Sequence, residues 1–211
     1  MILETSDQRT EDWYAARLGK ATASRFKDAI AALKSGAPAQ AQRDYLTELV
    51  VERLTQQPIQ RFQNAAMNWG TEQEPAARAA YERVTGRIVE ETGFVAHDTL
   101  MAGCSPDGLI DWDGLIEIKC PWNTANHIET LLNGMPADHI PQVQGQMWIT
   151  GREWCDFVSF DPRMPEALQL HVQRIQRDEA FIADLERRVT SFLAEVGTQV
   201  EALRRLAESK K

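Results

Sequence analysis

Residues 105 to 121, Ser-Pro-Asp-Gly-Leu-Ile-Asp-Trp-Asp-Gly-Leu-Ile-Glu-Ile-Lys-Cys-Pro, constrain this chain more than any other stretch. Two short apolar runs flank an acidic, Gly-containing turn, the signature of a β-hairpin. Alternate side chains of a strand share a face, so Leu115, Glu117 and Lys119 point one way and Ile116 and Ile118 the other. Asp107 belongs on the partner strand. If Asp113-Gly114 is a two-residue turn, Asp107 lies opposite Cys120, on the face away from Glu117. If Trp112-Asp113-Gly114 is a three-residue loop with Gly114 left-handed, Asp107 falls opposite Lys119 and shares a face with Glu117. A one-residue slip inverts a strand's faces, so a metal site on this hairpin requires the second register.

The chemistry of such a face is specific. Carboxylate oxygens suit hard cations such as Mg²⁺ or Mn²⁺, which also accept substrate phosphate as a ligand. A cation held there would polarise a phosphoryl oxygen and acidify a water. Lys119 could orient or deprotonate that water if the nearby positive charge depresses its own pKa. That is the equipment for hydrolysing a phosphodiester. The plain alternative is an amphipathic hairpin with a solvated charged face. The Ser-Pro-Asp-Gly opening and the apolar reverse face favour the site.

Composition enters as a boundary. With 211 residues, 43% of them hydrophobic, the chain can bury one good core, and we expect a single nuclease domain over residues 1–211. No apolar run approaches the roughly 20 residues of a membrane span, and the N-terminus lacks a secretory pattern. Cys104, Cys120 and Cys155 cannot all pair internally and read as reduced residues of a cytoplasmic protein. The four histidines show no zinc spacing. The net charge of −8 argues against a nucleic-acid partner, but its distribution does not. Arg17, Lys20, Arg25, Lys27, Lys34 and Arg43 surround one acid, Asp28, a local balance of +5 that could meet phosphates. On charge alone a solvated helix face explains this equally well.

The patterning alternates helix and strand. Helices are expected at 10–18 after Thr10, from Thr22 or Ser24 to the Ser35–Pro38 break, at 39–56, at 71–84 closed by Gly86, at 123–132 and at 140–149. Strands are expected at 88–89, 93–95, in the 106–120 hairpin, at 154–160 and at 168–175. Residues 178–208 form a long amphipathic helix with an interruption possible at Gly197. Its stripe of Ile182, Val189, Val196 and Leu203, interleaved with Leu185, Phe192 and Leu206, suits a subunit contact or, more commonly, packing on the chain's own core. The order gives an α/β (α+β) class with a mixed central sheet flanked by helices.

Six segments, two of them in the hairpin, carry a resemblance: Arg17–Ser24, Trp69–Glu74, Gly103–Leu109, Glu117–Pro121, Pro141–Trp148 and Asp161–Met164. In order and spacing from about residue 11 to 180 they resemble the phage lambda exonuclease family, the viral-type alkaline exonucleases of the PD-(D/E)xK nuclease superfamily. The resemblance implies a restriction-endonuclease-like core. It implies an enzyme that degrades one strand of linear duplex DNA from its 5′ end with Mg²⁺ (Mn²⁺ substituting), leaving 3′ single-stranded tails for recombination. It also implies two ions per site, where the residues themselves support at least one. A ring-shaped homotrimer and a single-strand-annealing recombinase partner follow from the same likeness.

Carried over by motif, Asp107, Glu117 and the Ile118 carbonyl would be metal ligands. Lys119 would serve the nucleophilic water, Glu74 would join the metal site, and Gln142 would position water or phosphate. Arg17, Ser24 and Ser105 would hold the 5′-terminal phosphate, the arginine through its two-pronged charged fork. Ser24 could equally be a plain helix cap. Arg61 and Phe62 are candidates for separating the strands. Two rivals stand beside this reading: an endonuclease of the same superfamily, and a catalytically inactive DNA-end-binding module. An iron–sulfur nuclease would need four clustered cysteines, and this chain has three, far apart.

Overall fold

The computed structural model describes residues 2–3, 8–59 and 64–210, so the candidates Arg61 and Phe62 lie outside the described residues. The larger of two sheets is mixed. It runs in the order β3 (Val89–Glu90), β6 (Gly108–Ile110), β7 (Gly114–Lys119), β8 (Trp154–Phe160), β9 (Leu170–Gln176). β7 pairs antiparallel with β6 and parallel with β8. A parallel pair needs a long crossover, here the helices α5 (Thr124–Asn133) and α6 (Ile140–Thr150). The smaller sheet joins β1 (Ile2–Leu3), β4 (Val95–Ala96), β5 (Ala102–Cys104) and β2 (Ala21–Thr22), with β2 and β5 parallel.

The faces of β7 separate two apolar cores. Leu115 packs with Cys155 and Phe157 of β8 beneath α6, α3 (Gln40–Thr55) and α7 (Glu179–Glu208). Ile116 and Ile118 turn the other way, onto Ala77, Ala80 and Tyr81 of α4 (Ala65–Thr85). A strand covered on both sides reads as an apolar run, and the charged residues that interrupt this one mark where the site lies. α6 sits very close over the first core, because a Cβ at Gly145 would stand 2.4 Å from the Phe26 ring. Only glycine permits that approach.

Several boundaries differ from expectation. α1 (Glu11–Arg17) starts where Thr10 accepts a hydrogen bond from the Trp13 N–H, as expected. The second helix is only a 3₁₀ turn at Ala23–Arg25 and α2 (Phe26–Ala29). Residues 31–39 then fold back on themselves, the Leu33 N–H donating to the Ala37 carbonyl. α4 begins six residues early at Ala65, capped by Asn64, and carries Pro75 within it. Pro75 cannot bond to the residue 71 carbonyl, and Thr71 is exposed, so water can serve that group. β2 and β5 were not anticipated, being short and rich in alanine and glycine. α7 runs through Gly197 unbroken, and its stripe from Ile182 to Val200 is buried within this chain, while Leu203 and Leu206 are exposed.

Candidate active site

The hairpin adopts neither of the two registers drawn from the sequence. Gly108 pairs with Ile116, Leu109 with Leu115 and Ile110 with Gly114, leaving Asp111, Trp112 and Asp113 as the loop. Asp107 lies one residue before β6, outside the ladder, and its N–H donates to the Ile116 carbonyl at 3.2 Å. The three-residue loop has slid one position toward the N-terminus, and Asp111 (φ 50°), not Gly114, takes the left-handed conformation. Aspartate tolerates that region. Here it is held by an ion pair with Arg87 and by Arg152, whose guanidinium donates to the Asp111 carbonyl at 3.1 Å. The slide amounts to two residues of register, so Glu117 and Lys119 keep the face expected of them.

Asp107 and the Ile118 backbone are in contact, the Ile118 N–H donating to Asp107 Oδ2 at 2.6 Å. Glu117 is only 2% exposed, and a buried carboxylate needs donors. Gln142 Nε2 donates to Oε1 and Gln146 Nε2 to Oε2, each at 2.6 Å. Lys119 Nζ also contacts Oε1 and donates to Gln142 Oε1 at 3.2 Å. Four of the predicted residues, Asp107, Glu117, Lys119 and Gln142, are thus brought together, with Ile118 between them.

Burial, then the neighbouring Glu117 charge, lift the Asp107 carboxyl well above the usual range, against the pull of Lys119. For Lys119, burial works to lower the pKa, but Glu117 and Asp107 outweigh it and the net direction is upward. The ammonium is therefore retained here, and its depression to a base would require the added charge of a cation. His139, at the start of α6, has its pKa lowered by burial and by the Lys119 charge. The Lys119 and Glu117 charges both act on it, and its position became visible only in three dimensions.

Glu74 reaches the same neighbourhood from α4, its charge acting on Asp107 and Cys120. Its oxygens are held by cations, Oε2 by Arg9 at 2.6 Å and Oε1 by Arg78 at 3.3 Å. Gln8 adds a second tie, donating to the Pro106 carbonyl at 2.7 Å. Gln8, Arg9 and Arg78 belong to no motif, and nothing local in the sequence identified them. The Cys120 thiol is pushed up to about 12 by burial and then by Glu74, so it packs beneath the site without reactive character.

The donor set fits a hard divalent cation. Mg²⁺ takes oxygen ligands, keeps several waters and commonly uses one or two carboxylates plus substrate phosphate. Asp107, Glu117 and the Ile118 carbonyl supply that chemistry, and two acids against one lysine leave a residual negative charge. Among the described residues, no group of three or more His, Cys, Asp and Glu side chains could hold a metal alone.

Of the three residues assigned to a terminal phosphate, Ser24 and Ser105 follow the parallel strands β2 and β5, where Thr22 pairs with Gly103, and Arg17 ends α1. Ser105 Oγ accepts from Arg17 Nη1 at 3.1 Å and from Trp13 Nε1 at 2.9 Å, and the Arg17 guanidinium stacks 4.1 Å over the Trp13 ring. Ser24 is exposed in the 3₁₀ turn and shares a hydroxyl contact with Thr22 at 3.3 Å. It does not cap a helix. Arg17 and Lys20 line a cleft of about 750 Å³ whose walls also carry Glu48 and Glu52. The basic segment is partly neutralised, Arg25 by Asp28 and Glu48 and Lys27 by Asp138.

Comparison with known proteins follows the same lines. Residues 12–153 match the YqaJ-like viral recombinase domain. An alkaline exonuclease (LHK-Exo) from Laribacter hongkongensis is 48% identical over 96% of this chain and 100% of its own, with a TM-score of 0.88. LHK-Exo in complex with dAMP gives 0.89 at the same identity and coverage. A phage related exonuclease from Haemophilus somnus 129PT shares the fold at 18% identity and a TM-score of 0.72, over 87% of this chain and 96% of that one. No curated protein sequence matches. Together with the hairpin, its two carboxylates and the helix facing them, these likenesses show that the chain belongs to the YqaJ-like viral recombinase family, which includes the lambda-type alkaline exonucleases.

Proposed function

We propose that this chain, a deoxyribonuclease and exonuclease by its family, removes nucleotides from the 5′ end of one strand of linear duplex DNA and leaves a 3′ tail. The observation that carries the reading is the convergence of Lys119 and Gln142 on Glu117, with Asp107 close enough to take the Ile118 N–H and feel the Glu117 charge. Asp107, Glu117 and the Ile118 carbonyl would hold Mg²⁺, which when bound supplies Lewis-acid stabilisation of the phosphoryl oxygens. Lys119 Nζ then orients the attacking water, with Gln142 bridging it to Glu117. Glu74 contributes negative charge at the edge of the site once Arg9 and Arg78 yield it.

Polarity comes from the other cluster. Arg17, backed by Trp13 and joined to Ser105, is a fixed cation with planar donors suited to a terminal phosphate, and Ser24 adds a hydroxyl nearby. Each cleavage presents a new 5′ phosphate to the same grip, which favours successive turnover. Contacts that fall on phosphates carry little sequence preference. A second ion, a ring-shaped trimer around the duplex and an annealing protein that receives the 3′ tail complete the reading, on the strength of the family likeness. Its setting would be the cytoplasm, in keeping with three free, buried cysteines; among the described residues no helix is long and apolar enough to cross a membrane.

The test is digestion of an end-labelled linear duplex with and without Mg²⁺, comparing 5′-phosphate, 5′-hydroxyl and closed-circular substrates, with Lys119→Ala as control. Mg²⁺-dependent loss from the 5′-phosphorylated strand, with the circle spared and the variant inactive, is expected. Cutting of the circle would make the protein an endonuclease, and degradation from 3′ ends would reverse the polarity.

A further inference from the structure

α6 presents three glutamines at alternate positions, and they do different things. Gln144 ties the chain to α7: its Nε2 donates to the Gln176 carbonyl and its Oε1 accepts from the Asp178 N–H, both at 2.9 Å. Gln142 is partly exposed and bridges Glu117 and Lys119. Gln146, one turn further on and 1% exposed, has a single polar contact, Nε2 to Glu117 Oε2 at 2.6 Å. Its own Oε1 finds no hydrogen-bond partner among the described residues. Burying an amide with half its capacity unused is unfavourable, and an apolar side chain would fill the same volume at less cost. The contact with Glu117 therefore accounts for this residue.

We infer that Gln146 is a positioning residue for the metal site, fixing the plane of the Glu117 carboxylate from the buried side. The inference rests on the reading of Glu117 as a metal ligand. Lys119 and Gln142, both partly exposed, hold Oε1. With donors on that oxygen alone, the carboxylate could rotate about its last bond. A donor on Oε2 removes the rotation and orients the remaining lone pairs toward Asp107. Partners of this kind behind a metal ligand are worth about 10- to 100-fold in metal affinity. The amide orientation is settled by the contact itself, since the opposite one would set oxygen against oxygen.

The test measures Mn²⁺ binding to the DNA-free protein by electron paramagnetic resonance, in parallel with kcat. Gln146→Met keeps the volume and removes the donor. It should weaken Mn²⁺ binding about 10- to 100-fold, with the far-UV spectrum unchanged. Gln144→Met is the control for a purely structural glutamine, and it should lower the melting temperature while leaving Mn²⁺ binding at the wild-type level. Should Gln146→Met not fold, Gln146→Asn, whose amide falls one methylene short, takes its place with the same expectation. Wild-type Mn²⁺ affinity in a folded Gln146 variant overturns the inference. Glu117→Ala separates the two levels. If it binds Mn²⁺ as tightly as wild type, the metal-ligand reading fails and the inference with it. If it binds weakly while Gln146→Met binds normally, only the role of Gln146 fails.

Discussion

Asp107→Asn should stabilise the metal-free protein while abolishing its activity. Asp107 lies just before β6, and among its neighbours Glu117 is the charge that acts on it most strongly. At a separation of about 5 Å and an effective dielectric of about 20, two carboxylates repel by about 3 kcal/mol. Lys119, which contacts Glu117, offsets roughly half of this by the same Coulomb estimate. Asparagine still accepts the Ile118 N–H through Oδ1, but a neutral acceptor is weaker by about 0.5–1 kcal/mol. It also escapes the desolvation of the charged form, which is the leading cause of the raised Asp107 pKa and returns about 1 kcal/mol or more. The net gain is about 1–2 kcal/mol, or roughly 3–6 °C in melting temperature for a chain of this size.

The assay is calorimetry at neutral pH in EDTA and then in excess Mg²⁺. On the proposed reading Mg²⁺ would bind only the folded protein with both carboxylates in place, so it should raise the wild-type melting temperature and leave the variant's nearly unmoved. Nuclease activity should fall about a thousandfold, the equivalent of several kcal/mol of lost charge stabilisation. A variant less stable than wild type in EDTA, or equal Mg²⁺ stabilisation of both proteins, would refute the reasoning.

Three other expectations follow from individual contacts. Tyr81→Phe deletes the 2.7 Å hydrogen bond to buried Asp156, which keeps both of its bonds from Arg174. The cost should be about 1–2 kcal/mol in denaturant unfolding, with activity unchanged. Arg17→Ala should reduce the preference for 5′-phosphate over 5′-hydroxyl ends about 10- to 100-fold, and Arg17→Lys should restore it only in part, since it lacks the fork. Burial works to raise the Asp161 carboxyl, but bonds from the Arg163 side chain and backbone N–H outweigh it and hold it at about 2. A depressed carboxyl gives stability that is present above its unfolded pKa and lost as pH falls toward the folded one. The stability difference between wild type and Asp161→Asn should therefore shrink as pH falls from 4 to 2, as urea titrations at each pH would measure.

The parts of the fold that were legible in the sequence are those with strong local signals. β8 was placed to the residue, and α3, α5, α6 and α7 nearly so; α5 and α7 have both a capping side chain and a clear apolar stripe. β2 and β5 escaped notice because a two- or three-residue strand has no period, and it exists only through its partner. The hairpin shows the limit most clearly. Turn chemistry pointed to Gly114, yet Arg87 and Arg152, distant in sequence, hold Asp111 in the left-handed conformation. The alternation of charged and apolar residues survived this slide, since an even shift of register preserves faces. Motif residues on the hairpin and α6 could be named in advance. Arg9, Arg78 and Gln8 could not, since each is an ordinary polar residue until the chain brings it to Glu74 or Pro106.

The two carboxylates of the hairpin should respond to neutralisation in opposite directions. Asp107 receives one backbone donor and faces like charge, so its negative charge is a burden in the metal-free state. Glu117 receives Gln142, Gln146 and Lys119. From Val143 onward α6 is wholly buried, and its polar groups must find partners inside the protein. Glu117 is the partner for Gln146, and Gln142 just before this stretch joins it, so the acid holds the helix as much as the helix holds the acid. Glu117→Gln keeps the shape but offers one oxygen, and it sets an amide NH₂ against Gln146 Nε2 or the Lys119 ammonium. Breaking one side of a buried charge network costs about 3–5 kcal/mol, or roughly 10 °C for this chain length. The contrast is the sharpest check on the site, because both variants should lose Mg²⁺-dependent cleavage. In EDTA, Asp107→Asn should melt above wild type and Glu117→Gln below it. If Glu117→Gln melts with wild type, the glutamine cradle does not hold an ionised carboxylate, and the electrostatic account of the site is wrong.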